Sequence, residues 1–135
     1  MKTYLVSACL LGVPCRWHGK KIISSNTKKL IKQNTLIQII QVCPEVLGGL
    51  PVPRPPVKRI RGRVFETCPD KSSRKYVTGN EVTQYFRSGA AKTLEIAIRN
   101  NVELCILCSW SPSCDITGIT GKLLAQNGFK IINTF

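Results

Sequence analysis

The chain has 135 residues, 43% of them hydrophobic, with a mean hydropathy of +0.01. This suits one globular domain with a real core and excludes a disordered chain, and no apolar stretch approaches the roughly 18 residues that cross a membrane. The net charge of +13 attracts polyanions whatever the fold, while an odd count of seven cysteines without a convincing secretion signal argues against a disulfide framework and for a reducing cytoplasm.

The N-terminal MKTYLVSACLLGVPC resembles a signal peptide only weakly. Its apolar run is short and broken by Ser7, Gly12 and Pro14, so it reads as a first core strand with its turn. Residues 3–8 are that strand. Residues 26–33 are expected to form a short helix with Asn26 as N-cap. The β-branched stretch 36–43 reads as a second strand. Residues 44–79 are rich in Pro, Gly and Arg and predict loops with a short hairpin, RGRVFETC against RKYVTG.

The clearest helix is 80–100. Val82, Tyr85, Phe86, Leu94, Ala97 and Ile98 make one apolar stripe, Asn80 can cap it, and Asn100–Asn101 can end it. VELCILC (102–108) reads as an apolar strand, 118–127 as a helix stopped by Gly128, and FKIINT as the last strand. The alternation predicts an α/β fold: one compact three-layer, Rossmann-like domain over residues 1–135. Its sheet is mainly parallel, and a Pro/Gly/Arg-rich insertion carries the hairpin.

In open parallel sheets the functional crevice lies beyond the carboxyl ends of the strands. Cys9, Cys43 and the SWSPS segment leading to Cys114 all belong at that edge. Cys105 and Cys108 form a CxxC pair, but within a strand an offset of three sends them to opposite faces. With no second CxxC and no paired histidines, zinc is a poor fit. Cys105 then reads as a buried core thiol and Cys68 as incidental. Cys9 and Cys15 flank LLGVP, which either brings both thiols to one metal or shapes the crevice floor. Converging cysteines suit an iron–sulfur cluster better than zinc, and three ligands would leave one iron of a cubane open as a Lewis acid.

The stretches CLLGVPCRWHGK (9–20), CPEVLGGLPVPRPP (43–56), GNEVTQYFRSGA (79–90) and SWSPSC (109–114) strongly resemble the thiouracil desulfidase family. The resemblance resumes over GITGKLLAQNGFKI and covers nearly the whole chain. It implies a compact α/β fold and a [4Fe-4S] cluster held by Cys9, Cys43 and Cys114. The free iron binds a thiocarbonyl sulfur, and water replaces sulfur at carbon without net redox. The implied substrates are thiouracil and related thiolated pyrimidines, as base or nucleotide; longer relatives act on thiolated uridine in transfer RNA. The expected protein is a cytoplasmic monomer or weak homo-oligomer.

Within that resemblance Glu45, two residues after Cys43, is placed to serve as general base, with burial and a negative cluster both raising its pKa. Its bland alternative is a turn or helix cap. Ser109 and Ser111 are the candidate catalytic serines, while Ser113 also flanks Cys114. Gly48, Gly49 and Pro51 are expected to let the backbone approach cluster and ligand. Arg54 either binds a pyrimidine carbonyl or phosphate, or ties the Pro-rich loop together. His18, the one histidine, reads as a loop residue.

The chain departs from the family where Asp115 follows Cys114 and GITG arrives almost at once. Relatives carry Gly there and then a longer loop with an aromatic-Asp-Gly element. Cys108 and Trp110 also stand where basic residues are expected. A missing loop weakens enclosure of the crevice. A larger substrate such as a thiolated nucleotide in RNA then fits; the alternative is a basic RNA- or nucleotide-binding module with a retained, inactive cluster. Lys28 and Lys29, then Arg54, Lys58, Arg59, Arg61 and Arg63, form its basic surface.

Overall fold

The computed structural model describes residues 1–33, 36–69 and 76–135. Strand β1 (Lys2–Ser7) lies at the centre of a four-stranded sheet with β2 (Ile37–Val42), β6 (Leu104–Cys108) and β7 (Ile131–Thr134). The order is β2-β1-β6-β7 and every pair is parallel. The chain first steps from β1 to β2, then returns past β1 to β6. The direction of winding therefore reverses between β1 and β6, which is where an open sheet forms its crevice.

The helices are α1 (Ser25–Lys32), α2 (Pro44–Leu47), α3 (Thr83–Arg99) and α4 (Ile119–Gln126). Of these, α3 packs against both α2 and α4. Leu5, Val6, Ile106, Leu107 and Leu124 are fully buried and form the centre of the core.

A second, antiparallel sheet is made of β3 (Val57–Ile60), β4 (Arg63–Pro69) and β5 (Tyr76–Glu81). The expected hairpin is the β4–β5 pair, with Thr67 opposite Thr78; β3 adds a third strand that the Arg-rich sequence concealed. Arg74 and Lys75 of the hairpin lie outside the described residues. Val64, Val82 and Phe86 make a small core between this sheet and α3.

Two expected caps are displaced. Ser24, not Asn26, caps α1: its side chain accepts from Thr27 N–H at 3.3 Å. Asn26 instead donates to the Phe135 carbonyl at 3.0 Å. Asn80 belongs to β5, and α3 starts at Thr83 without a side-chain cap. Thr83 Oγ1 accepts from Val64 N–H at 2.9 Å, so its hydroxyl fastens the helix start to the second sheet. On α3 the buried face runs through Phe86, Gly89, Ala90, Thr93 and Ala97, leaving Ile98 of the expected stripe 57% exposed. Small residues let α3 sit close to its neighbours, and that narrows the stripe.

Candidate active site

A small crevice, with about 50 Å³ of cavity volume, lies beyond the carboxyl ends of β1, β2 and β6. After Ser7 the chain tightens into a 3-10 turn, Ala8–Leu11, closed by Gly12 at φ +90°. This turn presents Cys9. Cys43 is the N-cap residue of α2, where Pro44 opens the helix. Cys114 enters from the connection after β6. All three line the crevice, and so do Cys15 and Cys108.

The five thiols are mutually engaged. Shared hydrogen bonds with Cys108 and Cys15, then burial, push the Cys9 thiol well up. Cys43 is raised by its bond to Cys15 and by burial, and its Sγ lies 3.7 Å from the Cys15 carbonyl. Cys15 receives the converse effect: bonds from Cys43 and Cys9, with the Arg54 charge, lower it to about 3. Cys108 is lowered by its bond to Cys9 and by Arg16, whose Nη1 donates to its Sγ at 3.8 Å. Burial first, then the Glu45 charge, pushes Cys114 up to about 12. Such a set shares protons among sulfurs, and metal ions can replace those protons.

Among the described residues no three His, Cys, Asp or Glu side chains converge on one ion position. The five thiols line one crevice rather than surround a single ion position. Cys105 points into the core with no exposed surface, and burial pushes it up to about 12. It does not line the crevice with Cys108, so the CxxC pair is split as strand alternation requires.

Glu45 also lines the crevice, and both its oxygens are engaged. Arg54 Nε donates to Oε1 at 3.1 Å, and Ser113 Oγ donates to Oε2 at 3.2 Å. Arg54 is buried and also donates to the Pro51 carbonyl at 3.2 Å, while its own N–H reaches the Trp17 carbonyl at 2.8 Å. These bonds make Arg54 a tie across the Pro-rich loop, although it faces the crevice too. Ser111 lines the crevice, and its Oγ accepts from the Ser113 and Cys114 N–H groups at 3.2 and 3.0 Å. Ser109 is not among the lining residues; its N–H pairs with the Thr134 carbonyl of β7. The hydroxyl joined to Glu45 therefore belongs to Ser113.

Gly48 and Gly49 do not line the crevice. A Cβ at Gly48 would collide with the Tyr85 carbonyl, and one at Gly89 with the Pro44 carbonyl. Their close approach joins α2 to α3 and corrects the expectation that these glycines make room for cluster or ligand. Gly49, at φ +104°, turns the chain out of α2. His18 Nδ1 accepts from Lys20 N–H at 2.9 Å beside the Trp17 ring, consistent with a loop residue.

On the opposite wall, Asp115 closes the short connection. Its Oδ2 accepts from Trp110 N–H at 2.8 Å, and its Oδ1 accepts from the N–H and hydroxyl of Thr117 at 3.1 and 3.0 Å. The bonds from Thr117 and Trp110 hold its carboxyl below the usual value. Trp110 sits at φ +64° with 89% of its surface exposed.

Cys108 and Arg16 were missing from the sequence-based site, while Cys15 and Ser113 entered it only as neighbours of Cys9 and Cys114. Cys15 and Arg16 sit in the quoted CLLGVPCRWHGK motif, and Ser113 in SPSC, but spacing alone does not reveal which side chains turn inward. A family profile described as 2-thiouracil desulfurase matches residues 4–134. YbbK of Bacillus subtilis (strain 168), described as uncharacterized, is 33% identical over 96% of this chain and 93% of its own length. A solved structure of the [4Fe-4S]-dependent thiouracil desulfidase TudS is 30% identical, with a TM-score of 0.78 over 98% of this chain and 91% of that one.

Proposed function

We propose, on the premise that this chain belongs to the 2-thiouracil desulfurase family, that it is an enzyme replacing the sulfur of a thiolated pyrimidine with oxygen from water, without net redox. Its centre is a [4Fe-4S] cluster held by Cys9, Cys43 and Cys114. The observation that carries this reading is the meeting of those cysteines and Glu45 in one crevice.

When bound, such a cluster supplies an open iron, a soft Lewis acid better suited to a thiocarbonyl sulfur than to a carbonyl oxygen. The remaining work falls to the chain. Arg54 fixes the Glu45 carboxylate through Oε1, and Oε2, which also accepts from Ser113, takes the proton of the attacking water on its remaining lone pair. Ser113 orients that oxygen and can pass the hydrogen bond on as the proton arrives. Ser111 fixes the backbone beside Cys114. The substrate is a base or nucleotide of the thiouracil or thiouridine type, and the exposed Trp110 beside a short connection suits a nucleotide.

Anaerobically reconstituted protein is expected to turn brown, bind about four irons and release sulfide from 2-thiouracil or 4-thiouridine. Failure to take up iron would overturn the reading. A second reading, a basic RNA-binding module with an inactive centre, is favoured by one observation: Arg59, Arg61 and Lys122 line a surface depression beside Thr117. It predicts salt-sensitive RNA binding and no sulfide release with Glu45 intact. No helix among the described residues is long and apolar enough to cross a membrane.

A further inference from the structure

The crevice holds two more thiols than the proposed ligand set uses. We propose that Cys108 is a fourth thiolate of the centre, capping the iron left open by Cys9, Cys43 and Cys114 until substrate sulfur displaces it. The inference rests on the cluster reading above.

Cys108 is the last residue of β6, held by pairing on both sides. Its N–H donates to Ser7 Oγ at 3.0 Å on the β1 side, and its register partner on β7 is Thr134. Its sulfur is thus carried by a fixed backbone, as a ligand should be. Cys105 and Cys108 both belong to the buried core, where a cysteine otherwise behaves as a small hydrophobe, but only Cys108 also lines the crevice. Cys108 borders the crevice, receives the Arg16 guanidinium at 3.8 Å and donates its thiol to the Ser109 carbonyl at 3.5 Å. It shares the crevice lining with two of the proposed ligands, Cys9 and Cys114.

Cys15 is the competing thiol. Its bonds run to Cys9 and Cys43, and it sits on a loop rather than a strand end. It serves the other side of the cavity, where its carbonyl lies against Cys43 Sγ.

Arg16 gives the displaced sulfur somewhere to go. Its guanidinium lies 5.7 Å from the centre of the Phe135 ring and faces Cys108 Sγ. With a cluster bound, Cys108 would hold the iron that substrate sulfur needs, and substrate sulfur would take its place one for one. The freed Cys108 thiolate would be received by Arg16, whose Nη1 already points at its Sγ. No electron or proton changes hands, so no further reactant is needed.

The test uses the full chain, reconstituted anaerobically, as wild type, Cys108→Ala, Cys108→Ser and Cys15→Ala. Each is titrated with ferricyanide while the EPR signal of a three-iron cluster and the released iron are followed. The wild type and Cys15→Ala are expected to resist, whereas both Cys108 variants lose one iron of about four early in the titration. Equal iron loss from wild type and the Cys108 variants would overturn the proposal while leaving the cluster reading intact. So would early loss from Cys15→Ala alone. Absence of any cluster in the wild type would overturn both. The serine variant, close to cysteine in size, guards against misfolding of the alanine variant.

Discussion

The two walls of the crevice are built by different physics. On one wall, Cys43 and Glu45 ride on α2, which is pressed backbone to backbone against α3 at Gly48 and Gly89. On the other, Cys114 and Ser113 ride on an irregular connection held by the side chains of Ser111 and Asp115. The first wall is fixed by the absence of side chains, the second by polar ones. A wall set by close packing breaks abruptly when an atom is added; a wall set by hydrogen bonds weakens in steps. The Ser113–Glu45 bond joins the two walls, so damage to either is expected to reach the carboxylate.

The largest effect falls on the packed wall. Gly48→Ala or Gly89→Ala forces a methyl group into a carbonyl and is expected to cost about 3 kcal/mol or more, read as a large drop in Tm. Retention of wild-type Tm would contradict the packing account. At the carboxylate itself, Glu45→Gln is expected to lower sulfide release by about 10²–10⁴-fold while the visible absorbance of the cluster stays. If Glu45→Gln bleached the cluster, Glu45 would instead be serving the centre's assembly.

On the polar wall, Asp115→Ala removes three acceptor contacts and is expected to cost about 1–2 kcal/mol in denaturant unfolding. Asp115 also gives this wall a pH dependence. Its carboxyl is lower in the folded state, so its stabilisation is complete above the unfolded value near 3.9. It is lost as pH falls toward and through the folded value. Unfolding between about pH 5 and pH 2 should therefore show a shallower loss for Asp115→Asn than for wild type. Parallel curves would show that the ionised group does not matter. The smallest effect is expected from Ser113→Ala, about 1 kcal/mol. It should appear as slower sulfide release with little change in Tm.

The contrast between the walls also explains what the sequence revealed. Alternating apolar runs located β1, β2, β6 and β7, and the rule for open sheets then put Cys9, Cys43 and Cys114 at one edge. Those are consequences of local periodicity and topology. Cys15, Cys108 and Ser113 depended on which way a side chain turns in an irregular segment, and periodicity does not report that. Ser113 meets Glu45 across 68 residues of chain. The glycines misled for a related reason: GGLP signals a close backbone approach, but the partner, Gly89, is recognisable only once α2 and α3 are packed. Likewise β3 has its two central, consecutive positions filled by Lys58 and Arg59, one on each face, so its pairing to β4 carries no alternating apolar signature.

Iron and inorganic sulfide measured after anaerobic reconstitution of wild type, Cys9→Ser, Cys43→Ser and Cys114→Ser test the central claim most directly. The account predicts about four irons in the wild type and less iron in each of the three variants, with Cys105→Ser and Cys68→Ser unchanged. A colourless wild type, or full iron retained in all three crevice variants, would contradict it.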